Sequence, residues 1–358
     1  MPASGSPVHS QHTLAEILSQ PKTWLASQRE LAGDPTLRAM LTAAPARKEW
    51  LFTGCGTSFY LAEAAAASWT LLTGQRARAL PASELLLFPR LSQLNAEDLQ
   101  IVVISRSGRT SESVRAAELL TRKHNLPTLG VTCAADSELA KACQLTIALT
   151  SADEKSMVMT RSFTSMLLAL QQLAASQASS LSLSSSLETI ASTLSSQIQS
   201  MSDRVESFVA SHEFADYIYL AQGPFYPIAR EAALKITEMS CSYAQPYHTL
   251  EFRHGPKSVV SPQTCLTFFL SESGKEAESE VLVEMKELGG TIVAICNRAS
   301  ESVRRSADLL FEVDVHAAEL AFLAPFIVPA QLLGFHTGVK KGFNPDEPKN
   351  LSRVVILD

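Results

Sequence analysis

The chain lacks the features of a nucleic-acid-binding, disulfide-rich or secreted protein. Its 358 residues carry 30 Lys and Arg against 36 Asp and Glu, a net charge of −6 without a basic stripe, so nucleic acid is a disfavoured partner. The six cysteines form no Cys-x-x-Cys pair and have no His-x-x-x-His partner, which predicts neither a disulfide framework nor a zinc site. The first residues lack a basic segment followed by an apolar one, so we expect no signal peptide and a cytoplasmic location.

The chain also lacks an apolar run long enough to span a membrane. Its most apolar stretch, residues 318–335, contains Glu319, Pro325, Pro329 and Gln331, and its runs fall short of the roughly 20 residues that a span needs. We expect a buried or interface helix there and no membrane partner. At roughly 150 residues per domain, the length predicts about two globular domains.

What the chain does contain is one βα pattern used twice. Short β-branched runs alternate with amphipathic stretches, which is typical of a parallel sheet covered by helices. The same order returns in the second half, where aligning Gly54 with Gly223 and Gly108 with Gly274 gives offsets of 169 and 166 residues. Chance similarity between two α/β halves is the alternative.

A serine-rich stretch, residues 176–200, lies between the two halves. Its composition is typical of a flexible linker, but five apolar residues recur at helical spacing and predict a helix with a polar serine face. These residues are Leu183, Leu187, Ile190, Leu194 and Ile198.

The strongest candidate for a ligand site is the sequence SRSGRT, residues 105–110, which follows a β-branched run and leads into a helical pattern. Backbone N–H groups, hydroxyl groups and the positive end of a helix dipole meet in such a turn, which predicts a phosphate site. We expect the hydroxyls of Ser105, Ser107 and Thr110 to donate to the phosphate, while Gly108 lets the backbone approach it. Plain N-capping by Ser and Thr is the alternative.

The second copy of this loop, residues 271–276, differs in charge. Glu272 and Glu276 stand where the first copy has Arg106 and Thr110, and carboxylates would repel a phosphate that carries about −2 charges. We therefore expect phosphate to bind only in the first half.

Two further hydroxyls, those of Thr57 and Ser58 in GCGTS, begin the helix that follows the first strand and could complete the phosphate site. Neither a Walker A sequence nor Gly-x-Gly-x-x-Gly is present. No nucleotide is therefore predicted.

The second half carries the titratable residues. Glu231, Lys235 and Glu238 share one helical face, for which a solvated ion-pair face is the alternative. The turn EFRHGPK, residues 251–257, contains His254, for which a structural histidine is the alternative. Beside a sugar phosphate these groups suit aldose–ketose isomerisation. One group opens the ring, a carboxylate moves a proton between C1 and C2, and a cation stabilises the enediolate.

From about residue 48 onward the chain resembles the sugar isomerase (SIS) family in its tandem form, as in the isomerase half of glucosamine-6-phosphate synthase. The segments that carry the resemblance are GCGTS, SRSGRT, ADEKSMVMTRSFTSM, YPIAREAALKITEMS, EFRHGPKSVV, LAPFIVPAQLLGFH and DEPKNLSRVVILD. LAEILSQPKTWLASQ and EFRHGPKS resemble more narrowly the tagatose-6-phosphate ketose/aldose isomerases. The implied fold is α/β, with two tandem SIS domains, each a parallel sheet flanked by helices in a flavodoxin-like αβα sandwich.

The expected organisation has four parts. They are an N-terminal helical arm (1–45), a first SIS domain with the linker helix and phosphate loop (46–203), a second SIS domain with the acid/base residues (204–340), and a C-terminal tail over the active site (341–358). The synthase's glutaminase domain has no counterpart here, so we expect no internal supply of ammonia from glutamine. Arg353 stands where the synthase has an imine-forming lysine, and arginine stays protonated.

The resemblance also implies roles for individual residues. Glu238 is the proton-shuttling carboxylate, Lys235 is the lysine one turn earlier, and His254 is the ring-opening histidine supplied by the neighbouring subunit, so a homodimer is expected. The candidate substrate-binding residues are Thr57, Ser58, Ser105, Arg106, Ser107, Thr110, Glu154 and Arg353.

Together these features predict an isomerase that acts on a hexose or aminohexose 6-phosphate, with or without loss of ammonia, and that needs no metal or organic cofactor. The alternative is a non-catalytic sugar-phosphate-binding regulatory protein. Glu238, Lys235 and His254 favour the enzyme, because a sensor needs only the phosphate loop.

Overall fold

The computed structural model describes Ser10 and residues 12–43, 48–92 and 98–357. The chain divides into two compact units. The first unit contains residues 20–154, 161–191 and 354 onward, and the second contains residues up to 19, 155–160 and 192–353. Residues 155–160 therefore belong to the second unit, although the residues on both sides of them belong to the first.

The α-helices of the described residues account for most of the predicted amphipathic stretches. They are α1 (Thr13–Leu18), α2 (Gln20–Gly33), α3 (Pro35–Ala43), α4 (Thr57–Thr73), α5 (Ala82–Leu87), α6 (Ser111–Glu118), α7 (Glu138–Ala142), α8 (Arg161–Gln177), α9 (Leu181–Ser211), α10 (Tyr226–Ser240), α11 (Lys275–Glu287), α12 (Glu301–Ser306) and α13 (Leu323–Lys340). A π-helical turn, Leu119–Lys123, extends α6.

The first unit is built on five strands. They are β1 (Glu49–Gly54), β2 (Arg76–Pro81), β3 (Leu99–Ile104), β4 (Thr128–Thr132) and β5 (Leu145–Ala148). They form a parallel sheet in the order β2-β1-β3-β4-β5. Every residue of β3 is buried, as is typical of a parallel sheet with helices on both faces.

The second unit repeats this topology. Its strands are β6 (Asp216–Ala221), β7 (Ala244–His248), β8 (Thr264–Phe269), β9 (Thr291–Cys296) and β10 (Leu309–Glu312). The order β7-β6-β8-β9-β10 is that of the first sheet, and all its pairs are parallel. The predicted fold and repeat are confirmed. In each sheet the second strand of the chain lies on one side of the first strand, and all later strands lie on the other side. Open α/β sheets bind ligands at the point where the strand order reverses in this way.

The predicted alignment of the two halves is wrong by two residues at the first loop. β1 begins at Glu49 and β6 at Asp216, and at that offset Gly56, not Gly54, corresponds to Gly223. Gly56 and Gly223 have φ values of 54° and 55°, a left-handed conformation that glycine adopts without a Cβ penalty. Gly54 ends its strand, where an added Cβ would lie 2.7 Å from the backbone of α4.

The serine-rich stretch is helical, as its periodicity predicts. Residues 181–200 of this stretch belong to α9, and its five periodic apolar residues are between 0% and 6% exposed. The predicted N-terminal arm is helical over residues 13–43 apart from short breaks. Trp24 of α2 donates from Nε1 to Thr164 Oγ1 of α8 at 2.8 Å, so this helix is packed into the first unit.

The apolar stretch near the C-terminus is a buried helix, as predicted. Among the described residues, one segment has the length and composition to cross a membrane, Glu319–Lys340, and its apolar window is 100% buried, as in the core helices of soluble proteins. α13 packs on α10 through two glycines. A Cβ at Gly334 would lie 3.1 Å from the Lys235 carbonyl oxygen, and one at Gly338 would overlap the Met239 carbonyl oxygen.

Candidate functional site

The titratable residues predicted in the second half form a cluster on α10. Lys235 Nζ lies 3.2 Å from Glu231 Oε1 and 2.5 Å from Glu238 Oε2. The side chains of Lys235 and Glu231 are 0% exposed, whereas that of Glu238 is 17% exposed. The alternative of a solvated ion-pair face is therefore wrong. Glu238 is the member of the cluster that a ligand can reach.

The cluster keeps Lys235 positively charged. Burial alone would lower the pKa of Lys235, but the carboxylates of Glu231 and Glu238 more than offset this effect, so its pKa is raised above the ordinary value. The ammonium group donates a hydrogen bond to Glu238, and charge-assisted bonds of this kind fix the orientation of a carboxylate. Lys235 is closed to solvent and pairs with both carboxylates.

His254 lies at the surface of the second unit. It follows a short 3₁₀ turn, Glu251–Arg253, and its side chain is exposed. Phe252 anchors this turn in the hydrophobic core, while the His254 ring has no hydrogen bond to another described residue. A structural histidine held by its own chain, the alternative, is not what the structure shows.

The predicted phosphate loop joins β3 to α6, at the change in strand order of the first sheet. Thr110 is the N-cap residue of α6, but its side chain makes no capping hydrogen bond, so plain N-capping is not its role. Its hydroxyl instead accepts from Ser105 Oγ at 3.4 Å, and Ser107 Oγ accepts from the Arg109 N–H at 3.2 Å. The hydroxyls of Ser105, Ser107 and Thr110 therefore make these hydrogen bonds with other residues of the same loop.

The backbone of this loop and the start of α4 lie at the same edge of the first sheet. Gly108 has φ 61°, and a Cβ there would overlap the Ser137 side chain. Thr57 and Ser58, at the beginning of α4, are 6% and 5% exposed. Because β1 and β3 are adjacent parallel strands, the loops at their carboxyl ends bring all the predicted hydroxyls to one edge.

Arg106 and Glu154, both predicted to bind substrate, bind each other. Arg106 Nη1 lies 3.3 Å from Glu154 Oε2, and the two side chains are 4% and 0% exposed. Glu154 also accepts hydrogen bonds from the backbone N–H and the hydroxyl of Ser162, at the start of α8. This buried pair ties the phosphate loop to α8, and direct contact of either residue with substrate stays a prediction.

The equivalent loop of the second half already holds carboxylates. Ser271 donates its N–H and hydroxyl to Glu278 at 3.0 and 2.5 Å, and Ser273 donates the same groups to Glu319 at 2.9 and 2.5 Å. Burial raises the pKa of Glu278, against the opposing effect of the Ser271 hydrogen bonds. The sequence predicted that Glu272 and Glu276 would repel phosphate. It did not predict that Glu278 and Glu319 accept the hydrogen bonds of the serines in this loop.

The last described residues, 354–357, lie against α6 in the first unit. The Val355 carbonyl accepts from the Ser111 N–H at 3.2 Å, and the Leu357 N–H donates to Ser111 Oγ at 2.9 Å. Arg115 donates to the Leu357 carbonyl at 3.0 Å. The tail therefore contacts the helix that begins at the phosphate loop, and its predicted position over an active site stays a prediction, as does the substrate-binding role of the exposed Arg353.

Across residues 12–43, 48–92 and 98–357, no three His, Cys, Asp or Glu side chains are grouped so that they could hold a metal ion. The six cysteines are free thiols.

Comparison with known proteins assigns both halves of the chain to one family model. The SIS domain model matches residues 46–176 and 216–336, which contain the first and the second sheet. The glutamine–fructose-6-phosphate aminotransferase (isomerizing) of Methanothermobacter thermautotrophicus is 25% identical over 310 residues, which are 86% of this chain and 51% of that protein. The chain thus spans about half the length of the aminotransferases it matches.

Other relatives match over nearly their whole length. The AgaS protein of Streptomyces coelicolor is named for a proposed D-galactosamine-6-phosphate deaminase activity. It is 28% identical to this chain over 362 residues, which cover 94% of this chain and 91% of that protein. Glucosamine-6-phosphate deaminase of Thermotoga maritima superposes with a TM-score of 0.76 at 27% identity, covering 96% of this chain and 99% of that one. Tagatose-6-phosphate ketose/aldose isomerase of Escherichia coli has the same fold, with a TM-score of 0.83 at 24% identity and 97% coverage of both chains.

Proposed function

This chain belongs to the SIS domain family, and we propose that it is an enzyme that isomerises an aminohexose 6-phosphate and releases its amino group as ammonia. The cluster of Glu231, Lys235 and Glu238 carries this proposal. Removing charged groups from water costs several kcal/mol per ion, about as much as the ion pairing gains. Stability alone is therefore a weak explanation for this buried cluster. A carboxylate held by a buried cation at the edge of solvent suits proton transfer.

In the proposed reaction, the phosphate binds to the Ser105–Thr110 loop and the hydroxyls at the start of α4. After ring opening gives the aldehyde form, the Glu238 carboxylate removes the proton from C2 while the C1 oxygen takes up a proton, which gives an enolamine. Glu238 then returns its proton to C1, and the amino nitrogen loses one proton to become the imine nitrogen. The 2-amino aldose thereby becomes a 2-imino ketose, and water hydrolyses the C=N bond to give the ketose 6-phosphate and ammonia. Lys235 holds the carboxylate in place throughout these steps.

Two observations support deamination over simple isomerisation. Two of the relatives that match this chain over nearly their whole length have names that refer to hexosamine-6-phosphate deamination, whereas the Escherichia coli relative is named as a ketose/aldose isomerase. In addition, Arg353 stands at the position of the lysine able to form an imine with the ketose, and a permanently protonated guanidinium is a poor imine former. Release of the amino group to water needs no such imine.

The proposal includes a homodimer in which His254 opens the sugar ring in the site of the neighbouring subunit. Its support is the exposed imidazole, which has no hydrogen bond to its own chain within the described residues. A neutral imidazole can accept the proton of the C1 hydroxyl and return a proton to the ring oxygen.

The test is to incubate the purified protein with D-galactosamine 6-phosphate, D-glucosamine 6-phosphate, D-galactose 6-phosphate and D-glucose 6-phosphate. NMR spectroscopy follows the ketose, and an enzymatic assay follows ammonium. We expect ketose and ammonium in equal amounts from at least one hexosamine phosphate. Ketose from a hexose phosphate alone would show an isomerase without deamination. Binding of these sugars without any turnover would show the regulatory protein that is the alternative.

A further inference from the structure

We propose that Glu284 of α11 is a positioning residue for His254. The inference rests on the proposed function, in which the imidazole of His254 opens the sugar ring. Glu284 lies outside every sequence motif discussed above, and it acts through the two cations that flank the histidine.

The carboxylate of Glu284 bridges the two sides of the histidine turn. Its Oε2 atom accepts from Arg253 Nε at 2.6 Å, and its Oε1 atom accepts from Lys257 Nζ at 2.7 Å. Arg253 directly precedes His254 and Lys257 follows it by three residues. Each oxygen binds a different cation. Arg253 also lies 4.0 Å from Glu280, so loss of the Glu284 carboxylate chiefly releases the C-terminal side of the turn, at Lys257.

The turn needs such support on its C-terminal side. On the N-terminal side Phe252 is fully buried in the core. On the other side, Gly255 has φ 119° and the short turn Pro256–Val259 contains no buried residue. The ion pair between Lys257 and Glu284 ties this segment to α11, and the Thr264 hydroxyl donates to the Val259 carbonyl at its far end.

The other end of the bridge is rigid. Glu284 lies on α11 between residues that pack in the core of the second unit, Val281, Leu282 and Met285. The hydrogen bonds from Lys257 and Arg253 lower the pKa of Glu284, so the carboxylate stays ionised at neutral pH. The side chains of Arg253 and Glu284 are only 32% and 30% exposed, which strengthens the pair relative to one in full solvent.

The first test compares Glu284→Gln with Glu287→Gln, a matched variant that removes the same charge from an exposed position on the same helix. With D-galactosamine 6-phosphate and D-glucosamine 6-phosphate as substrates, we expect Glu284→Gln to lower kcat by about tenfold, because a small displacement of a reacting group has effects of this order. KM should change by less than about twofold, because phosphate binding is untouched. Glu287→Gln should keep wild-type kinetics.

The second test places both substitutions in a His254→Asn background. If Glu284 acts through His254, Glu284→Gln should cause no further loss of kcat there. An equal loss in both backgrounds would show a merely structural role and overturn the inference, as would wild-type kinetics for Glu284→Gln itself. A His254→Asn protein with full activity would instead overturn the proposed role of the histidine.

A third measurement does not depend on activity. In protein labelled with ¹³C-histidine, the ring signal of His254 is assigned as the one lost in His254→Asn. Glu284→Gln should shift and broaden this signal, and Glu287→Gln should leave it unchanged. An identical His254 signal in wild type and Glu284→Gln would refute the inference even if none of the four sugar phosphates is a substrate.

Discussion

The ammonium nitrogen of Lys235 lies 2.5 Å from Oε2 of Glu238, and no part of the lysine side chain is exposed to solvent. Glu231 approaches the same nitrogen from the other side, at 3.2 Å. The lysine therefore compensates two carboxylates at once. We therefore expect Lys235 to contribute both to the stability of α10 and to the placement of Glu238.

Replacement of Lys235 by methionine should destabilise the protein by about 3–5 kcal/mol, because it removes the cation that pairs with the buried carboxylate of Glu231 and with Glu238. Lys123→Met, at an exposed position, should have little effect. The pKa of Lys235 is raised above its ordinary value of 10.5. Its stabilisation is therefore complete below pH 10.5 and is lost only as the pH rises through the higher folded-state pKa.

Urea unfolding followed by circular dichroism at pH 7 and pH 9 checks both points. The difference between wild type and Lys235→Met should be the same at the two pH values. A difference that disappears by pH 9 would show that burial lowers the pKa of Lys235, contrary to the geometry described above.

Glu238→Gln should lower turnover by roughly 10² or more, because the variant keeps the shape of the site but cannot accept a proton. Affinity for the hexosamine 6-phosphate should change little. The measurement is turnover in D₂O, with deuterium at C1 of the ketose detected by NMR. Glu188→Gln, an exposed position on α9, is the control, and normal turnover by Glu238→Gln would exclude Glu238 from the mechanism.

The double variant Ser107→Ala with Thr110→Ala should raise the Kd for D-glucosamine 6-phosphate at least about tenfold, since hydrogen bonds to charged groups contribute about 1.5–3 kcal/mol each. Unphosphorylated D-glucosamine should bind weakly to both proteins with no such difference. Isothermal titration calorimetry measures both affinities. Ser273→Ala, in the second loop, should bind like wild type, and a comparable loss in that variant would contradict the assignment of phosphate to the first half.

Mixing His254→Asn and Glu238→Gln subunits tests the proposed dimer. If His254 completes the site of its partner, a mixed dimer contains one site with both defects and one site with neither. After unfolding and refolding together at equal amounts, roughly a quarter of wild-type activity should return, because half the dimers are mixed. If each chain uses its own His254, the mixture should remain as inactive as its components.

Gly338→Ala should destabilise the protein by about 1–3 kcal/mol, because the added Cβ overlaps the Met239 carbonyl oxygen where α13 crosses α10. It should also lower turnover, since a shift of α10 moves Glu238. Gly33→Ala is the matched control, because a Cβ at Gly33 has no atom within 4 Å. Urea unfolding and the ammonium assay give both readouts, and equal behaviour of the two variants would argue against close packing at Gly338.

Local patterns in the sequence predicted the strands, the helices and the duplication, and the resemblance to the SIS family supplied the flavodoxin-like arrangement. The β-branched runs became strands, and the spacing of Leu183, Leu187 and Ile190 predicted a helix where composition favoured a flexible linker. The i+3 and i+4 spacings also predicted that Lys235 meets both glutamates. The spacing could not show that the cluster is buried, because burial depends on elements that are far apart in the chain, among them α13, which packs closely on α10.

Contacts between distant residues were the part that the sequence could not predict. Arg106 and Glu154 are 48 residues apart, Ser273 and Glu319 are 46 apart, and Arg253 and Glu284 are 31 apart. Which charged side chains meet depends on how helices pack on the sheet. The sequence alone therefore does not show whether a charged residue in a loop contacts a ligand, pairs with a distant residue or faces solvent.

The carboxylates of Glu278 and Glu319, which accept hydrogen bonds from the serines of the second loop, bear on how many ligands one polypeptide would hold under the proposed function. With those donors already taken by the chain itself, titration should saturate at one ligand per subunit despite the duplicated architecture. Any sigmoidal response to substrate concentration would then have to arise between associated chains, not between the two halves of a single one.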